Sequence, residues 1–349
     1  MSFPFVQPYF GLGNSLQTAQ GSAGGAAAGG WVELARTTLG SAGDTISVGS
    51  LSDKRYYMIL ANYIPSGNIE TRTRLNSDSG SNYSSRYTEN GGSDSTVTNT
   101  VSMLDTFGAS SSANDMLSVG YLSNLSTKEK LYQVNTVRSG TSGAANAPSR
   151  IECVGKHAQT TNPVSTFSAH NADGGDYAIG SEIVVLGWDP ADTHTTNFWE
   201  ELASVDITSG SQMTANFTAK KYLWIQFYYD VSTSSSELFF NNDQGNNYAR
   251  RYSNNGGTDS TNTSIAAITT NFGFDTNPHY GNMFVVNNSA NEKLVIAHLG
   301  MQMGAGAATA PGRTELVSKW ANTSAQINRF DIKNTGSFSR GICKVWGSD

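Results

Sequence analysis

The sequence repeats itself, and this internal repeat constrains the fold more strongly than any other feature of the chain. Residues 75–96, LNSDSGSNYSSRYTENGGSDST, return as residues 240–261, FNNDQGNNYARRYSNNGGTDST. Collinear similarity of this kind indicates two homologous modules in one chain. The other matching pairs, in chain order, are residues 31–35 with 199–203, 54–59 with 220–225, 129–131 with 292–294 and 148–156 with 311–319.

The repeat divides the chain into modules and connecting segments. We predict one module over residues 31–189 and a second module over residues 199–349. Residues 190–198 join them as a short polar linker, which predicts that the two modules lie close together. Residues 1–30 precede the first module and have no counterpart in the repeat.

The first 30 residues are interpreted as an N-terminal arm. Its tip carries Phe3, Phe5, Tyr9 and Phe10, and a Gly/Ala-rich tether follows. A tether of this composition behaves as a flexible coil and cannot form a packed core. Because aromatic residues are uncommon in purely disordered tails, we interpret the tip as an anchoring peptide; a disordered terminus is the alternative.

Neutral polar residues and glycine dominate the composition, which favours short strands and turns. Charged residues are only 14% of the chain, and 36 residues are glycine. In residues 69–75, IETRTRL, the odd positions carry Ile, Thr, Thr and Leu and the even positions carry charged side chains, as in a half-exposed strand. Apolar runs rich in β-branched and aromatic residues predict buried strands at residues 56–61, 116–122, 182–186, 222–229, 282–286 and 293–298.

These patterns predict an all-β fold. Residues 31–39 favour a strand because of Thr37, Thr38 and the following Gly40, and no long stretch shows a convincing helical period. With about eight strands per module, we predict two tandem, homologous, antiparallel β-sandwich domains of the jelly-roll type. An immunoglobulin-like sandwich is the second choice for each module.

Charge and composition argue against several classes of protein. The 22 basic and 28 acidic residues give a net charge of −6, so no basic face for nucleic acid is expected. No apolar stretch is long enough to span a membrane, and residues 1–10 lack the pattern of a secretory signal. Cys153 and Cys343 are too few for a disulfide framework and are expected to be buried thiols.

The most specific motif is a carbonyl-rich loop that occurs in both modules. Alternating oxygen side chains around a glycine suit a hard cation such as Ca²⁺, but the same residues also make Asx turns. A structural turn is the first choice, and Ca²⁺ or a sugar or partner contact through the Tyr/Arg pairs are the alternatives. The residues are Asn76, Asp78, Asn82, Tyr83 and Arg86 in the first copy, and Asn241, Asp243, Asn247, Tyr248 and Arg251 in the second.

Other reactive residue types do not form a recognisable catalytic set. Arg150 and Glu152 lie two apart on a predicted strand, which suits an exposed ion pair. His157 in the first copy is Trp320 in the second, so a ring at the surface or at an interface is expected there rather than a catalytic base. The acids are scattered among turn residues, and no nucleophile elbow is present. We therefore predict no enzyme activity and no required cofactor.

The repeated motif resembles β-sandwich modules of tailed-bacteriophage virion proteins, notably those of marine phages. The resemblance covers residues 31–349 and rests on the pattern N-x-D-x-G-x-N-Y-x-x-R-Y-x-x-N-G-G, followed by a P-x-R-x-E strand. It implies a virion structural protein without catalytic residues. It further implies a major capsid protein or another virion protein as partner, and a homo-oligomer, trimers being common in such proteins.

Several roles are compatible with such a module. The first choice is a capsid-surface decoration or fibre protein that is anchored by the N-terminal arm. The alternatives are a tail-fibre protein that recognises host surface glycan and a double-jelly-roll capsid protein. A secreted lectin or glycosidase is the non-viral alternative, and the missing secretory signal makes it less favoured.

Overall fold

The computed structural model describes residues 30–104, 114–192, 196–231, 236–269 and 277–349. Every regular element in these ranges is a β-strand, and the ranges contain no helix that could cross a membrane. The predicted anchoring residues Phe3, Phe5, Tyr9 and Phe10 lie outside the described ranges.

The N-terminal half contains twelve strands. They are β1 (Val32–Thr38), β2 (Thr45–Val48), β3 (Tyr56–Tyr63), β4 (Thr71–Leu75), β5 (Tyr83–Glu89), β6 (Ser95–Thr100), β7 (Met103–Leu104), β8 (Met116–Ser123), β9 (Lys130–Arg138), β10 (Ser149–His157), β11 (Phe167–Asn171) and β12 (Glu182–Trp188).

The C-terminal half contains another twelve. They are β13 (Glu200–Ile207), β14 (Gln212–Asn216), β15 (Tyr222–Val231), β16 (Ser236–Phe240), β17 (Tyr248–Asn254), β18 (Ser260–Ile265), β19 (Ile268–Thr269), β20 (His279–Val286), β21 (Lys293–Met301), β22 (Gly312–Trp320), β23 (Arg329–Asn334) and β24 (Phe338–Ser348).

The two halves share one strand order. The N-terminal half has a sheet β1-β12-β3-β8-β9-β10-β5-β6 and a smaller sheet β2-β11-β4-β7. The C-terminal half has β13-β24-β15-β20-β21-β22-β17-β18 and β14-β23-β16-β19, the same order twelve strands later. The named strand pairs are antiparallel, so the predicted all-β, antiparallel class is confirmed. The expected eight strands per module was too low, because four further strands extend each larger sheet.

The two sheets of each half face each other across an apolar core. In the N-terminal half this core joins Ile46 and Phe167 of the smaller sheet to Tyr57, Ile59 and Ile183 of the larger one. An equivalent core fills the C-terminal half. The alternation predicted for residues 69–75 is present in β4, where Thr71, Thr73 and Leu75 are buried and the arginines between them are partly exposed.

A third apolar cluster joins the two halves. Successive residues of β3 point to opposite faces, so Tyr57 and Ile59 enter the core of their own half while Met58 and Leu60 enter the third cluster. The C-terminal half contributes Trp224 and Phe284 from the outer face of its own larger sheet. The larger sheets therefore pack against each other, and the layers run smaller sheet, larger sheet, larger sheet, smaller sheet.

Candidate functional site

The repeated carbonyl-rich loop lies between β4 and β5, and Asp78 is its centre. The Asp78 carboxylate accepts hydrogen bonds from the Gly80 backbone N–H and from the Asn82 side chain, both at 2.8 Å. His157 Nε2 lies 2.8 Å from Oδ2 of the same carboxylate. Although burial opposes ionisation, these donors lower the pKa of Asp78. Asp78 is thus surrounded by protein donors.

The copy between β16 and β17 has the same geometry with a different ring. Asp243 accepts from the Gly245 backbone N–H at 2.8 Å and from Asn247 at 2.9 Å. Trp320 Nε1 donates to Asp243 Oδ2 at 2.7 Å, where the first copy uses histidine. His157 and Trp320 are both 1% exposed, so the expectation of a ring at the surface or at an interface was wrong: each ring is buried beside the loop of its own half.

An asparagine anchors each loop to the segment that precedes the neighbouring strand of the smaller sheet, β11 in the first copy and β23 in the second. Asn76 accepts from the Ser165 backbone N–H at 2.7 Å and donates to the Pro163 carbonyl at 2.9 Å. Asn241 accepts from the Asn328 N–H at 3.0 Å and donates to the Gln326 carbonyl at 2.8 Å. Both asparagines have positive φ, which asparagine tolerates better than most residues. This geometry is that of a structural turn.

The tyrosines of the motif point inwards. Tyr83 donates to the Asp78 carbonyl at 3.1 Å, and Tyr248 makes the same bond to Asp243. Burial raises the pKa of Tyr83 to about 12. Since both rings are buried, they do not present a face to a sugar. Among the described residues, no group of three or more His, Cys, Asp and Glu side chains is arranged to hold a metal ion.

The two arginines of the motif have different surroundings. Arg86 forms an exposed ion pair with Asp94, Nη1 to Oδ2 at 3.5 Å. Arg251 instead reaches the N-terminal half, where its Nε donates to the Pro148 carbonyl at 2.9 Å. The repeated motif is therefore used differently in the two halves, because only the second copy faces the other half at this point.

Arg150 is buried, so the prediction that it forms an exposed ion pair with Glu152 was wrong. It does contact Glu152, but its guanidinium also binds Asp259 of the C-terminal half, with Nη2 2.7 Å from Oδ1 and Nε 3.0 Å from Oδ2. The Asp259 side chain is buried too. A charge pair with two hydrogen bonds is strongly directional, so it fixes how the two halves lie against each other.

The segment 139–148, which we call the docking loop, makes three further bonds to the C-terminal half. Lys319 Nζ donates to the Thr141 carbonyl at 2.7 Å, and the Gly143 N–H donates to Glu292 Oε1 at 2.6 Å. The Ser264 N–H donates to the Ala144 carbonyl at 2.7 Å. Sequence analysis did not identify this loop, although GAANAPSR at residues 143–150 returns as GAATAPGR at residues 306–313.

A buried lysine positions Glu292 at this contact. Lys293 Nζ donates to the Asn291 and Asn322 carbonyls at 2.9 and 2.8 Å, which fixes the turn before β21. Lys130 holds the equivalent turn of the N-terminal half through the carbonyls of Leu125 and Lys128. The repeated Glu-Lys-Leu triplet thus places an acid beside a buried lysine in each half; Glu292 is buried at the contact, whereas the side chain of Glu129 is exposed.

A second polar contact between the halves is centred on Glu182. Its Oε1 accepts from Lys221 Nζ and from the Tyr222 hydroxyl, both at 2.9 Å, and Thr38 donates to the same carboxylate. Burial alone would raise the pKa of Glu182, but these donors and the charge of Lys221 lower it. Glu182 is therefore an ionised anchor between the halves.

Two cavities differ in accessibility. A small cavity of about 10 Å³ between the halves is lined by Arg150, Glu152, His298 and Glu315, and it has room for about one water. Burial, with the charges of Arg150 and Arg313, lowers the pKa of His298 to about 4. A groove of about 450 Å³ opens at the surface of the C-terminal half between Tyr280 and residues 302–311.

The two cysteines are buried and outside any disulfide, as the sequence predicts. Cys153 Sγ donates to the Leu104 carbonyl, and burial raises the pKa of Cys343 to about 12. The raised pKa of Cys343 is the opposite of the lowered pKa that a nucleophilic thiol needs. Their role in this fold is packing.

Comparison with known proteins adds no further assignment: no protein-family model matches the chain, and no curated protein is similar enough to be a relative.

Proposed function

We propose that this chain is a structural protein of a bacteriophage particle and that its β-rich body is non-catalytic. The observation that carries the proposal is the packing of two alike sandwiches through their larger sheets into one block. The polar groups at this contact are used to join the halves. A body of this kind serves as a rigid, displayed unit, and the resemblance of the repeated motif to phage virion modules supports that role.

Strand pairing supports a jelly roll in each half. Setting aside the hairpins β5–β6 and β9–β10, eight strands remain, and they pair first with last: β1 with β12, β2 with β11, β3 with β8 and β4 with β7. Such nested pairing, divided between two facing sheets, is the arrangement of the jelly roll, which recurs in viral capsid proteins and lectins. We therefore assign each half as a jelly roll with two added hairpins.

Within the particle, the chain is proposed to decorate the capsid surface. The sequence places four aromatic residues in the first ten positions and separates them from the body by a Gly/Ala-rich tether. An arm of this composition suits insertion into a shell protein while the body stays outside. A double-jelly-roll building block of the shell is the second candidate, favoured by the presence of two such sandwiches in one chain.

Deletion of residues 1–20 tests this proposal. We expect the truncated protein to have the melting temperature of the full chain, since the repeated sequence that forms the two sandwiches begins only at residue 31, but to be absent from purified particles. Replacement of the tether alanines by serine, which keeps length and flexibility, is the matched control and should be incorporated normally. Normal incorporation of the truncated chain would contradict anchoring by the arm, and failure to form particles at all would favour the shell building block.

A further inference from the structure

The parts of the contact made by the docking loop occur a second time in the chain, and among the described residues this second set does not make that contact. The loop 139–148 has its repeat at 302–311, and the pairs of equivalent residues follow from the sequence repeat. The surface that receives the loop in the C-terminal half, which we call the docking surface, also has an equivalent in the N-terminal half. The docking surface of the C-terminal half consists of Arg251, Asp259, Ser264, Glu292 and Lys319. The equivalent residues of the N-terminal half are, in the same order, Arg86, Asp94, Asn99, Glu129 and Lys156.

The loop 302–311 turns at the same glycine as the loop 139–148 but is open to solvent. Gly143 and Gly306 both have positive φ, 91° and 81°, so the two loops turn at the same point. Pro148, whose carbonyl binds Arg251, is buried, whereas the equivalent Pro311 is exposed. Arg313, equivalent to the buried Arg150, has a side chain 37% exposed.

The surface groove lies where the first docking loop holds its partner. In the N-terminal half, the corresponding space beside loop 139–148 receives the turn that carries Glu292, whose carboxylate accepts from Gly143. Beside loop 302–311 the space is a groove of about 450 Å³. The occupant that fits it by equivalence is the turn that carries Glu129.

The docking surface of the N-terminal half is likewise exposed. Lys319 and Glu292 form a buried pair, Nζ to Oε2 at 3.1 Å, while Lys156 and Glu129 form a largely exposed pair at 3.2 Å. Asp94 is more than half exposed, whereas Asp259 is buried against Arg150. Asn99 keeps the positive φ of Ser264, 53° against 51°, so its backbone has the same local conformation.

Apolar residues show the same contrast. Leu294 and Val317 are 0% and 4% exposed because they pack in the cluster between the halves. Their equivalents in the N-terminal half, Leu131 and Val154, are 53% and 45% exposed. Leu131 and Val154 are therefore the apolar residues that an equivalent contact on the N-terminal half would cover.

We propose that the loop 302–311 of one copy binds the N-terminal half of a second copy of this chain, at the surface equivalent to the docking surface. This binding repeats, between two copies, the contact that joins the halves within one chain. Glu129 then accepts from the Gly306 N–H, Asn99 donates its N–H to the Ala307 carbonyl, and Arg313 pairs with Asp94. Because the loop and the surface lie on different halves, the contact runs from head to tail. Each copy offers one of each, so the assembly is a ring or an open row. The inference does not depend on the proposed function.

Disulfide trapping tests the pairing directly. In the internal contact the Ser264 N–H donates to the Ala144 carbonyl at 2.7 Å, so the backbones of these two residues adjoin. A disulfide can join cysteines at such adjoining positions when their Cα atoms lie about 4.4–6.8 Å apart. The equivalent variants are Asn99→Cys and Ala307→Cys, prepared as two separate full-length proteins, and the native thiols are buried. When they are mixed under mild oxidation, we expect several-fold more disulfide-linked heterodimer than either homodimer. A third protein carries both substitutions in one chain. If it forms a cross-link within the chain while the mixture forms none, the loop closes onto its own chain and the proposal is overturned. The absence of any specific cross-link would also overturn it.

Charge reversal gives an independent test of the same contact. Arg313→Asp should weaken self-association measured by sedimentation velocity at least several-fold, and adding Asp94→Arg in the same chain should restore it. The matched control is Asp206→Arg. This substitution breaks the exposed ion pair between Asp206 and Arg340, which lies on strands outside the proposed contact. Equal loss from the control, or no rescue by the second substitution, would overturn the assignment.

Discussion

Asp78 and Asp243 hold equivalent loops through different ring donors. Histidine and tryptophan have little chemistry in common, but each donates an N–H to the aspartate of its own loop, His157 to Asp78 and Trp320 to Asp243. This explains why the position accepts either ring and why neither is exposed. The carbonyl-rich motif is therefore best understood as a turn whose acceptor lies at its centre.

Replacing the central acceptor should destabilise the fold. Asp243→Ala removes the acceptor for Gly245, Asn247 and Trp320, and leaves the tryptophan N–H without its partner. We expect a loss of ~1–3 kcal/mol in the free energy of unfolding, measured by urea denaturation. The control Asp94→Ala, which breaks an exposed ion pair, should cost less than about 1 kcal/mol. Equal effects of the two substitutions would contradict the structural role.

Chelation distinguishes the turn from the Ca²⁺ alternative. Since the carboxylates of Asp78 and Asp243 already accept several protein hydrogen bonds, we expect the melting temperature to stay unchanged when EDTA is added. The measurement is differential scanning calorimetry with and without Ca²⁺. A fall in melting temperature on chelation that disappears in the Asp78→Ala, Asp243→Ala double variant would show a metal site instead.

Sequence alone identified the residues of the loop but not the partners of the arginines. Asp78, Gly80 and Asn82 bond within a few residues of one another, so local spacing predicts their turn, whereas the bonds of Asn76 to the distant Pro163 and Ser165 have no local signal. Arg150 binds Asp259, which is far away in the chain and in the other half. The equivalent Asp94 is exposed, so the same motif gives two outcomes that only the packing of the halves decides.

At the scale of the elements, alternation predicted the strands of the cores and missed part of the larger sheets. Strand β6 has the sequence STVTNT and is mostly exposed, so it lacks the apolar alternation that marks a half-buried strand. Strand β3 was recognised because it is apolar on both faces, and the structure covers both. A strand that is exposed at a sheet edge has no buried face, so its sequence carries no apolar alternation. Such a strand is identified only by its pairing with the neighbouring strand.

Glycine 281 provides a test of packing inside one sheet. A Cβ on Gly281 would lie 2.1 Å from the Phe227 ring of the neighbouring strand, so Gly281→Ala forces that buried ring to move. We expect a loss of ~1–3 kcal/mol in unfolding free energy, as for other overpacked cores. Gly300→Ala on β21 is the matched control, because open space surrounds its Cβ position, and it should change stability by less than about 0.5 kcal/mol. A neutral Gly281→Ala would show that Phe227 is loosely packed.

At the scale of the whole molecule, the contact between the halves determines the shape. The short linker predicts that the modules lie close, but it does not predict which faces meet. Met58 and Leu60 on one side, with Trp224 and Phe284 on the other, show that the outer faces of the larger sheets pack together. The run of apolar residues in β3 is the sequence signal for this second buried face.

The pH dependence of stability should report on this contact through Glu182. Its pKa is lowered in the folded protein, so it stabilises the fold above its ordinary value of 4.5, and this contribution is lost as the pH falls through the folded pKa. Glu182→Gln should therefore lower the free energy of unfolding at pH 7 by ~1–3 kcal/mol. The difference from the unmodified protein should shrink at pH 3.

Urea denaturation at both pH values measures this effect. Glu200→Gln is the control, because the Glu200 side chain is mostly exposed and lies 3.7 Å from Lys220. It should have little effect at either pH. An equal loss from Glu182→Gln at pH 3 and pH 7 would show that the carboxylate charge is not what joins the halves.

The copy number of this chain in purified phage particles tests the proposed virion role most directly. Quantitative mass spectrometry against the major shell protein gives the ratio. For a decoration protein we expect many copies, in a simple fixed ratio to the shell protein. Absence of the chain from particles that are intact and infectious would contradict the account.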